Sequence, residues 1–151
     1  MVDFIGEYGV KVDDKGRIIF PSAFKALMTN GREEPDMRFV VKASIFAGCL
    51  EMYTYSEWVA RSEEVRSRLN FFNREHALFW REYMRGTAIV EPSGNLGRIT
   101  IPKELMSFAK IGREAVFHGC NHMIEIWPKD VYEAQKLSRD AYEALAEKIL
   151  G

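Results

Sequence analysis

The sequence lacks an excess of positive charge. Its 21 lysines and arginines stand against 22 aspartates and glutamates, which gives a formal net charge of -1 at pH 7. A basic surplus over the whole domain is the usual electrostatic sign of a nucleic-acid-binding protein. Because that surplus is missing, any contact with DNA must come from a local basic surface that self-association repeats.

The sequence also has little cysteine and no long apolar run. Cys49 and Cys120 are too few for a disulfide framework. The first ten residues, MVDFIGEYGV, have neither the basic region nor the apolar stretch of a signal peptide. No apolar run approaches the roughly 20 residues that a membrane-spanning helix needs. These absences argue against a membrane role and predict a cytoplasmic protein.

What the sequence does contain is enough apolar material for a folded chain. Of its 151 residues, 47% are hydrophobic and 13% are aromatic, which argues against general disorder. The length fits one ordinary domain or two very small ones. Two halves of about 70 residues would each bury only roughly 60% of their unfolded surface. We therefore expect the halves to depend on each other, and the chain to form a homo-oligomer.

An internal repeat organises the chain. The segment GRIIFP at 16–21 returns as GRITIP at 97–102, an offset of 81 residues, and LEMY at 50–53 returns as IEIW at 124–127, an offset of 74. The difference is assigned to the polar stretch at 29–36, which is predicted to be a longer loop. Each copy is predicted to run strand, turn, strand, short helix, strand, turn, strand and longer helix.

The turn residues Asp13 to Gly16 predict a β-hairpin between strands at 7–12 and 17–20, since Gly16 can take the positive φ that the turn requires. Pro21 and Pro102 mark helix starts. Ser56 is the predicted N-cap of a central helical segment, which Asn73 divides. The other predicted elements are helices at 22–28 and 103–108, strands at 38–42, 49–53, 115–118 and 123–127, and a helix at the C-terminus.

The residues of the first turn are the candidate DNA contacts. The planar guanidinium of Arg17 can donate to a phosphate or to a guanine edge, and Lys15 offers a point charge for the phosphate backbone. The structural alternative is an ion pair between Asp13 and Arg17 across the turn. Such pairs are common on protein surfaces and are worth only about 0 to 1 kcal/mol.

Two other groups of residues can be interpreted chemically. His118, Cys120 and His122 alternate like zinc ligands, but a closed site needs a fourth ligand, and Gly119 to Asn121 read as a turn between strands. Glu51 and Glu125 recur within apolar strands, but no nucleophile or base recurs beside them, so they are interpreted as edge charges or ion-pair partners. The sequence analysis predicts no metal, no cofactor and no enzymatic activity.

The segment V-D-D-K-G-R-I-I-F-P at 12–21 resembles the N-terminal motif of the MraZ family, in which an aspartate precedes an arginine by four residues, as Asp13 precedes Arg17. The segments at 97–102 and 124–127 resemble the second motif of the family and its closing strand. The resemblance covers nearly the whole chain. It implies an α+β fold in which two AbrB-like swapped-hairpin modules form one β-barrel, with a central helical segment and a C-terminal helix.

The resemblance also implies a domain division and a function. It predicts a first repeat at 5–55, a helical connection at 56–85, a second repeat at 86–129 and a C-terminal helix at 130–151. It implies a nucleoid-associated, ring-shaped oligomer that binds short direct repeats of double-stranded DNA upstream of the division and cell wall gene cluster and represses it. The DNA-binding residues that it predicts are Asp13, Lys15, Gly16, Arg17 and Arg98.

The second copy departs from the motif. Gly94 stands where the first copy has Asp13, and Leu96 stands where it has Lys15, so the second turn loses charge while Arg98 can still reach a phosphate. The main alternative is an antitoxin-like protein-binding module of the same barrel class. Antitoxins of that kind usually append a disordered acidic tail, whereas this sequence predicts an amphipathic helix through Leu145 and Ile149.

Overall fold

The computed structural model describes residues 2–151 of the chain, which form an antiparallel α+β fold with six helices. The strands are β1 (Phe4–Lys11), β2 (Arg17–Ile19), β3 (Phe39–Ala43), β4 (Leu50–Thr54), β5 (Ala88–Val90), β6 (Arg98–Thr100), β7 (Glu114–Asn121) and β8 (Met123–Pro128). The helices are α1 (Ser22–Thr29), α2 (Tyr55–Ser67), α3 (Arg74–Met84), α4 (Lys103–Phe108), α5 (Lys129–Ala134) and α6 (Arg139–Leu150). None of these helices is long and apolar enough to span a membrane.

Six strands form the main sheet, in the order β1-β7-β8-β4-β3-β5, and β2 and β6 form a separate two-stranded ribbon. Between residues 2 and 151, no strand pairing joins the edge strands β1 and β5, so the pairing does not describe the closed barrel that the resemblance implies. The simple hairpin predicted between 7–12 and 17–20 is wrong. One isolated bridge, Val12 to Ile18, joins these segments, while β1 pairs with β7 and β2 with β6.

Both central strand pairs are centred on residues that the internal repeat matches. In the ribbon, Ile18 lies opposite Ile99, 81 residues later. In the main sheet, Glu51 of β4 lies opposite Glu125 of β8, 74 residues later. Matched residues can meet in this way only where two similar segments pair antiparallel about a local twofold axis. The two halves of the chain therefore hold each other at two places.

The main core lies between one face of the six-stranded sheet and the layer formed by the ribbon, α1 and α4. Strand β1 alternates between buried or half-buried and exposed residues, as a strand with one covered face should. The core residues include Phe4, Ile18, Phe20, Phe24, Phe39, Met52, Ile99, Ile101, Leu105, Phe117 and Ile126. Because the ribbon contributes Ile18 and Ile99 to this core, its inner face is fixed by packing and its outer face is left to solvent.

A smaller apolar cluster covers part of the opposite face of the sheet. It is built from Val40, Tyr53, Trp58 and Tyr83, so α2 and α3 pack over β3 and β4. The rings of Trp58 and Tyr83 are stacked with their centroids 5.8 Å apart. Strand β3 is consequently buried on both faces, and the ammonium group of Lys42 lies over the Tyr83 ring, 4.3 Å from its centroid.

The helical segments differ from the sequence predictions at their caps and breaks. Thr54, and not Ser56, is the N-cap of α2, because its hydroxyl accepts a hydrogen bond from the Glu57 amide at 3.2 Å. The predicted break at Asn73 is confirmed, since its side chain caps the start of α3. The C-terminal segment, predicted as one helix from 130 to 151, forms α5 and α6 with residues 135–138 between them.

Candidate nucleic-acid interface

The outer face of the β2–β6 ribbon carries two arginines. Residues paired across an antiparallel ribbon share a face, so Arg17 with Thr100 and Ile19 with Arg98 lie on the face opposite Ile18 and Ile99. The central isoleucines are 1% and 0% exposed, whereas Ile19 is 50% exposed and Thr100 is also exposed. The ribbon therefore presents Arg17 and Arg98 on one solvent-facing surface.

The first turn, residues 13–16, positions Arg17. One carboxylate oxygen of Asp13 accepts hydrogen bonds from the amides of Lys15 and Arg17, each at 2.9 Å. The other accepts from the Arg17 Nε at 2.7 Å. Gly16 has φ of 76°, in the left-handed region that favours glycine. The turn is thus held by its own side chain, and Lys15 is exposed within it.

The ion pair that the sequence analysis named as a structural alternative is present, with Arg17 39% and Asp13 36% exposed at the side chain. The hydrogen bond from the Arg17 amide is the largest of the effects that lower the pKa of Asp13 below its usual value, followed by the Arg17 side chain among those that lower it. This carboxylate engages the guanidinium through Nε. Within residues 2–151, neither terminal amino group of Arg17 makes a hydrogen bond. An ion pair of this kind orients the arginine and leaves its two outer donors for a ligand.

Helix α4, from the other half of the chain, contributes lysines beside the first turn. The Ile101 amide donates to the Gly16 carbonyl at 3.2 Å, which fixes the start of α4 against the turn. A cleft between them is lined by Lys15, Lys103 and Lys110 together with Asp13 and Asp14. All three lysines are exposed, and none forms an ion pair with any residue in the range 2–151.

Sequence analysis did not identify Lys103 and Lys110 as part of this surface. They belong to the second copy, and only the pairing of β2 with β6 brings them to the first turn. Arg113 and Lys11 line an adjoining cleft with Lys110, although Glu114, Asp130 and Glu133 lie there as well. The first turn therefore stands in a locally basic region of a chain whose net charge is -1.

The second turn, residues 94–97, is built differently. The amides and carbonyls of Ser93 and Arg98 exchange hydrogen bonds of 2.9 Å, and Gly94 and Gly97 have φ of 75° and 65°. No carboxylate lies inside this turn, and Leu96 is 56% exposed at its tip. Lys25 of α1 is the cationic side chain that, with Lys11, lines the cleft beside it. The charge lost from the second motif is not restored by the fold.

The remaining sequence candidates lie on the sheet face opposite the main core. Glu51 accepts a hydrogen bond from the Tyr53 hydroxyl at 2.8 Å, and Glu125 accepts one from the Trp127 indole at 3.1 Å. The predicted turn at 119–121 is wrong, because β7 continues to Asn121, which has φ of 62°, and β8 begins at Met123.

Taken together, an exposed β-ribbon with two outward arginines and a locked basic turn defines a protein with a surface suited to double-stranded DNA. The sequence profile described as "MraZ protein, putative antitoxin-like" matches residues 4–82 and 95–149. The chain belongs to the MraZ family. The resemblance noted in the sequence is thereby confirmed.

Three relatives show how far the similarity extends. A protein of Christiangramia forsetii is 39% identical over 153 aligned positions, covering 100% of this chain and 95% of the relative. A protein of Bacteroides thetaiotaomicron is 34% identical, covering 99% and 94%, and one of Moorella thermoacetica is 34% identical, covering 97% and 96%. All three carry the name "Transcriptional regulator MraZ", which is not the name of an enzyme.

Proposed function

We propose that the protein is a sequence-specific DNA-binding transcriptional regulator. The observation that carries this proposal is the outer face of the β2–β6 ribbon, where Arg17 and Arg98 face solvent beside the basic first turn. The names of the relatives support the regulatory role. The protein acts without a cofactor and is associated with the nucleoid.

The ribbon suits the major groove of B-form DNA, which admits a two-stranded β-ribbon. In the proposed complex, Arg17 uses the two donors left free by Asp13 to contact a base edge or a phosphate. Lys15, Lys103 and Lys110 neutralise phosphates on either side. Asp13 and Gly16 act indirectly, by holding the turn, and Arg98 contributes a weaker phosphate contact.

A single copy of this surface has limited affinity, because the chain as a whole carries a net charge of -1. We infer that several copies act together in a closed homo-oligomer, a ring, on short direct repeats. Exposed apolar residues support self-association: Phe72 is fully exposed, Ile149 is 70% exposed and Leu150 is 85% exposed. The repeats lie upstream of the division and cell wall gene cluster, which the protein represses.

We also infer that the chain is two AbrB-like modules that swap hairpins to build one barrel. The pairing of matched residues, Ile18 with Ile99 and Glu51 with Glu125, supports this interpretation. The division at 5–55, 56–85, 86–129 and 130–151 follows from it.

An antitoxin-like protein-binding module remains the second candidate. The description of the family profile and the exposed apolar residues favour it. Such a module would bind a partner protein through α3 or α6, and its DNA contact would be secondary. It predicts no difference between promoter DNA and a scrambled duplex of equal length.

Titration of fluorescent duplexes from the region upstream of the protein's own gene tests the proposal. Duplexes with one, two or three direct repeats should bind with increasing affinity, and shortening to one repeat should cost on the order of a hundredfold or more, since later contacts are intramolecular. The fall of log affinity with log salt should be steeper for three repeats than for one. Equal affinities and equal salt slopes for all three duplexes, or for a scrambled control, would contradict the proposal.

A further inference from the structure

A cluster of metal-ligand side chains lies on the sheet face away from the main core. His118 and Cys120 are two residues apart on β7 and so share a face, and Glu125 of β8 lies directly opposite His118. One potential ligand atom from each of the three lies within 4.8 Å of the others. Sequence analysis considered His122 as the third member, but the structure brings Glu125 to the cluster in its place.

The distances within the cluster suit a tetrahedral ion. Ligand bonds of about 2.0 to 2.3 Å at tetrahedral angles place neighbouring ligand atoms roughly 3.3 to 3.8 Å apart. The Cys120 Sγ lies 3.6 Å from the His118 Nδ1, and that nitrogen lies 3.9 Å from the Glu125 Oε1. Adjustments of a few tenths of an ångström would bring the three atoms to bonding positions around one centre.

Neighbouring groups orient the three side chains. The Trp127 indole nitrogen donates to the Glu125 Oε1 at 3.1 Å, and the ring of Tyr132 packs edge-on against His118 with centroids 5.5 Å apart. On the other side of β7, the backbone of Phe4 approaches so closely that a Cβ on Gly119 would lie 2.6 Å from it. Such supporting contacts are typical of metal sites. His118 is 34% and Glu125 22% exposed, so an ion can enter from solvent.

The first half of the chain shows what a non-metal version of this position looks like. There Glu51 lies opposite Lys42, an ammonium group that cannot ligate a metal while charged. In the second half the carboxylate of Glu125 faces an imidazole and a thiol instead, both of which are zinc ligands. Glu51 and Glu125 also lie opposite each other, which adds negative charge beside the cluster.

We propose that His118, Cys120 and Glu125 bind one Zn²⁺ ion per chain, with a fourth position open to water. A thiolate with an imidazole and a carboxylate is a donor set that favours zinc over the hard cations calcium and magnesium. The site is separate from the ribbon and does not rest on the proposed DNA-binding function. It replaces the expectation from sequence that this segment holds no metal.

The test is a titration of metal-free, reduced, full-length protein with Co²⁺, a spectroscopic substitute for Zn²⁺. We expect saturation at one equivalent with a thiolate-to-cobalt charge-transfer band, and reversal by Zn²⁺. Cys120→Ser should abolish the band, and His118→Gln and Glu125→Gln should each weaken binding by roughly tenfold or more. Circular dichroism without metal checks that each variant folds.

Two matched controls use side chains of the same types outside the ligand set. Cys49 is the other cysteine, and its Sγ lies 3.9 Å from the second carboxylate oxygen of Glu125, so Cys49→Ser should retain the band. His122→Gln should bind as the wild type does. The proposal is overturned if the wild type binds no Co²⁺ at micromolar concentration, if the band is lost with Cys49 instead of Cys120, or if His122→Gln weakens binding as much as His118→Gln.

Discussion

The two turns that precede the ribbon strands differ in charge, although the strands themselves are alike. The first turn contains Asp13 and Lys15 and adjoins two lysines of α4, whereas the second contains Gly94 and Leu96 and adjoins Lys25. Inside the ribbon, by contrast, isoleucine faces isoleucine. Packing constrains the inner positions equally, while the exposed turns are free to differ. The molecule is thus nearly symmetric in its core and asymmetric on the surface that we assign to DNA.

The largest expected effect concerns the symmetric part. Ile18→Ala and Ile99→Ala should each lower the free energy of unfolding by about 2 to 5 kcal/mol, because each removes a fully buried side chain from the same core. Chemical denaturation at one fixed protein concentration measures both. A cost for one variant more than double that for the other would show that the core is not symmetric.

The arginines should separate the two halves. Arg17→Ala should weaken binding to promoter DNA by roughly tenfold or more, since an arginine contact is worth about 1 to 3 kcal/mol. Arg98→Ala, without an aspartate to orient it, should cost less than about threefold. Fluorescence titration at constant salt gives both values, with circular dichroism as the folding control. Equal losses would mean that the different turns have no functional consequence.

The lysines of α4 test whether the first turn owes its basic surroundings to the other half. Lys103→Ala and Lys110→Ala should each weaken binding several-fold on all sequences and lower the slope of log affinity against log salt by roughly 1. Lys15→Ala should flatten that slope in the same way. Lys25→Ala, beside the second turn, is the matched control and should leave the slope unchanged. A flatter slope for Lys25→Ala alone would move the phosphate contacts to the wrong turn.

Charge can also be added to the second turn. Leu96→Lys places an ammonium group at an exposed tip position equivalent to Lys15, and it should raise DNA affinity by roughly twofold to fivefold with a steeper salt dependence. Leu96→Gln removes the same apolar side chain without adding charge and should bind as the wild type does. If the glutamine variant gains as much as the lysine variant, the gain does not come from charge.

The smallest effect concerns the pH dependence of the first turn. The folded pKa of Asp13 lies below its usual value of 3.8, so the stabilisation that its carboxylate provides is present above pH 3.8 and is lost as the pH falls through the lower folded value. Asp13→Asn should therefore unfold at a slightly lower temperature than the wild type at pH 7. The two should converge in strong acid, as thermal melts across that range can establish.

The boundaries of most elements could be predicted from the sequence because their signals are local. Pro102 and the apolar residues after it predict α4, and the structure has this helix at Lys103–Phe108 as predicted. The partner of β2 could not be predicted, because a three-residue strand fits any neighbour and Ile99 lies 81 residues away. The cap of α2 was misassigned because Thr54 and Ser56 both offer a hydroxyl group.

The candidate site was predicted only as far as one turn extends. Asp13, Lys15 and Arg17 were identified because their spacing is visible in the sequence, and the ion pair between Asp13 and Arg17 has the expected partners. Lys103 and Lys110 needed the pairing between the two halves. Glu125 was missed as a partner of His118 because their register depends on where the turn between β7 and β8 begins.

Cross-linking from the two turns tests the central claim most directly. A photoreactive amino acid can replace Asp14 in the first turn or Asn95, its equivalent 81 residues later, since both side chains are exposed. With promoter DNA bound, we predict that the variant at position 14 cross-links to DNA and that the variant at position 95 cross-links at least several-fold less. Cross-links of equal yield from both positions, or mainly from position 95, would contradict the assignment of the DNA surface to the first turn.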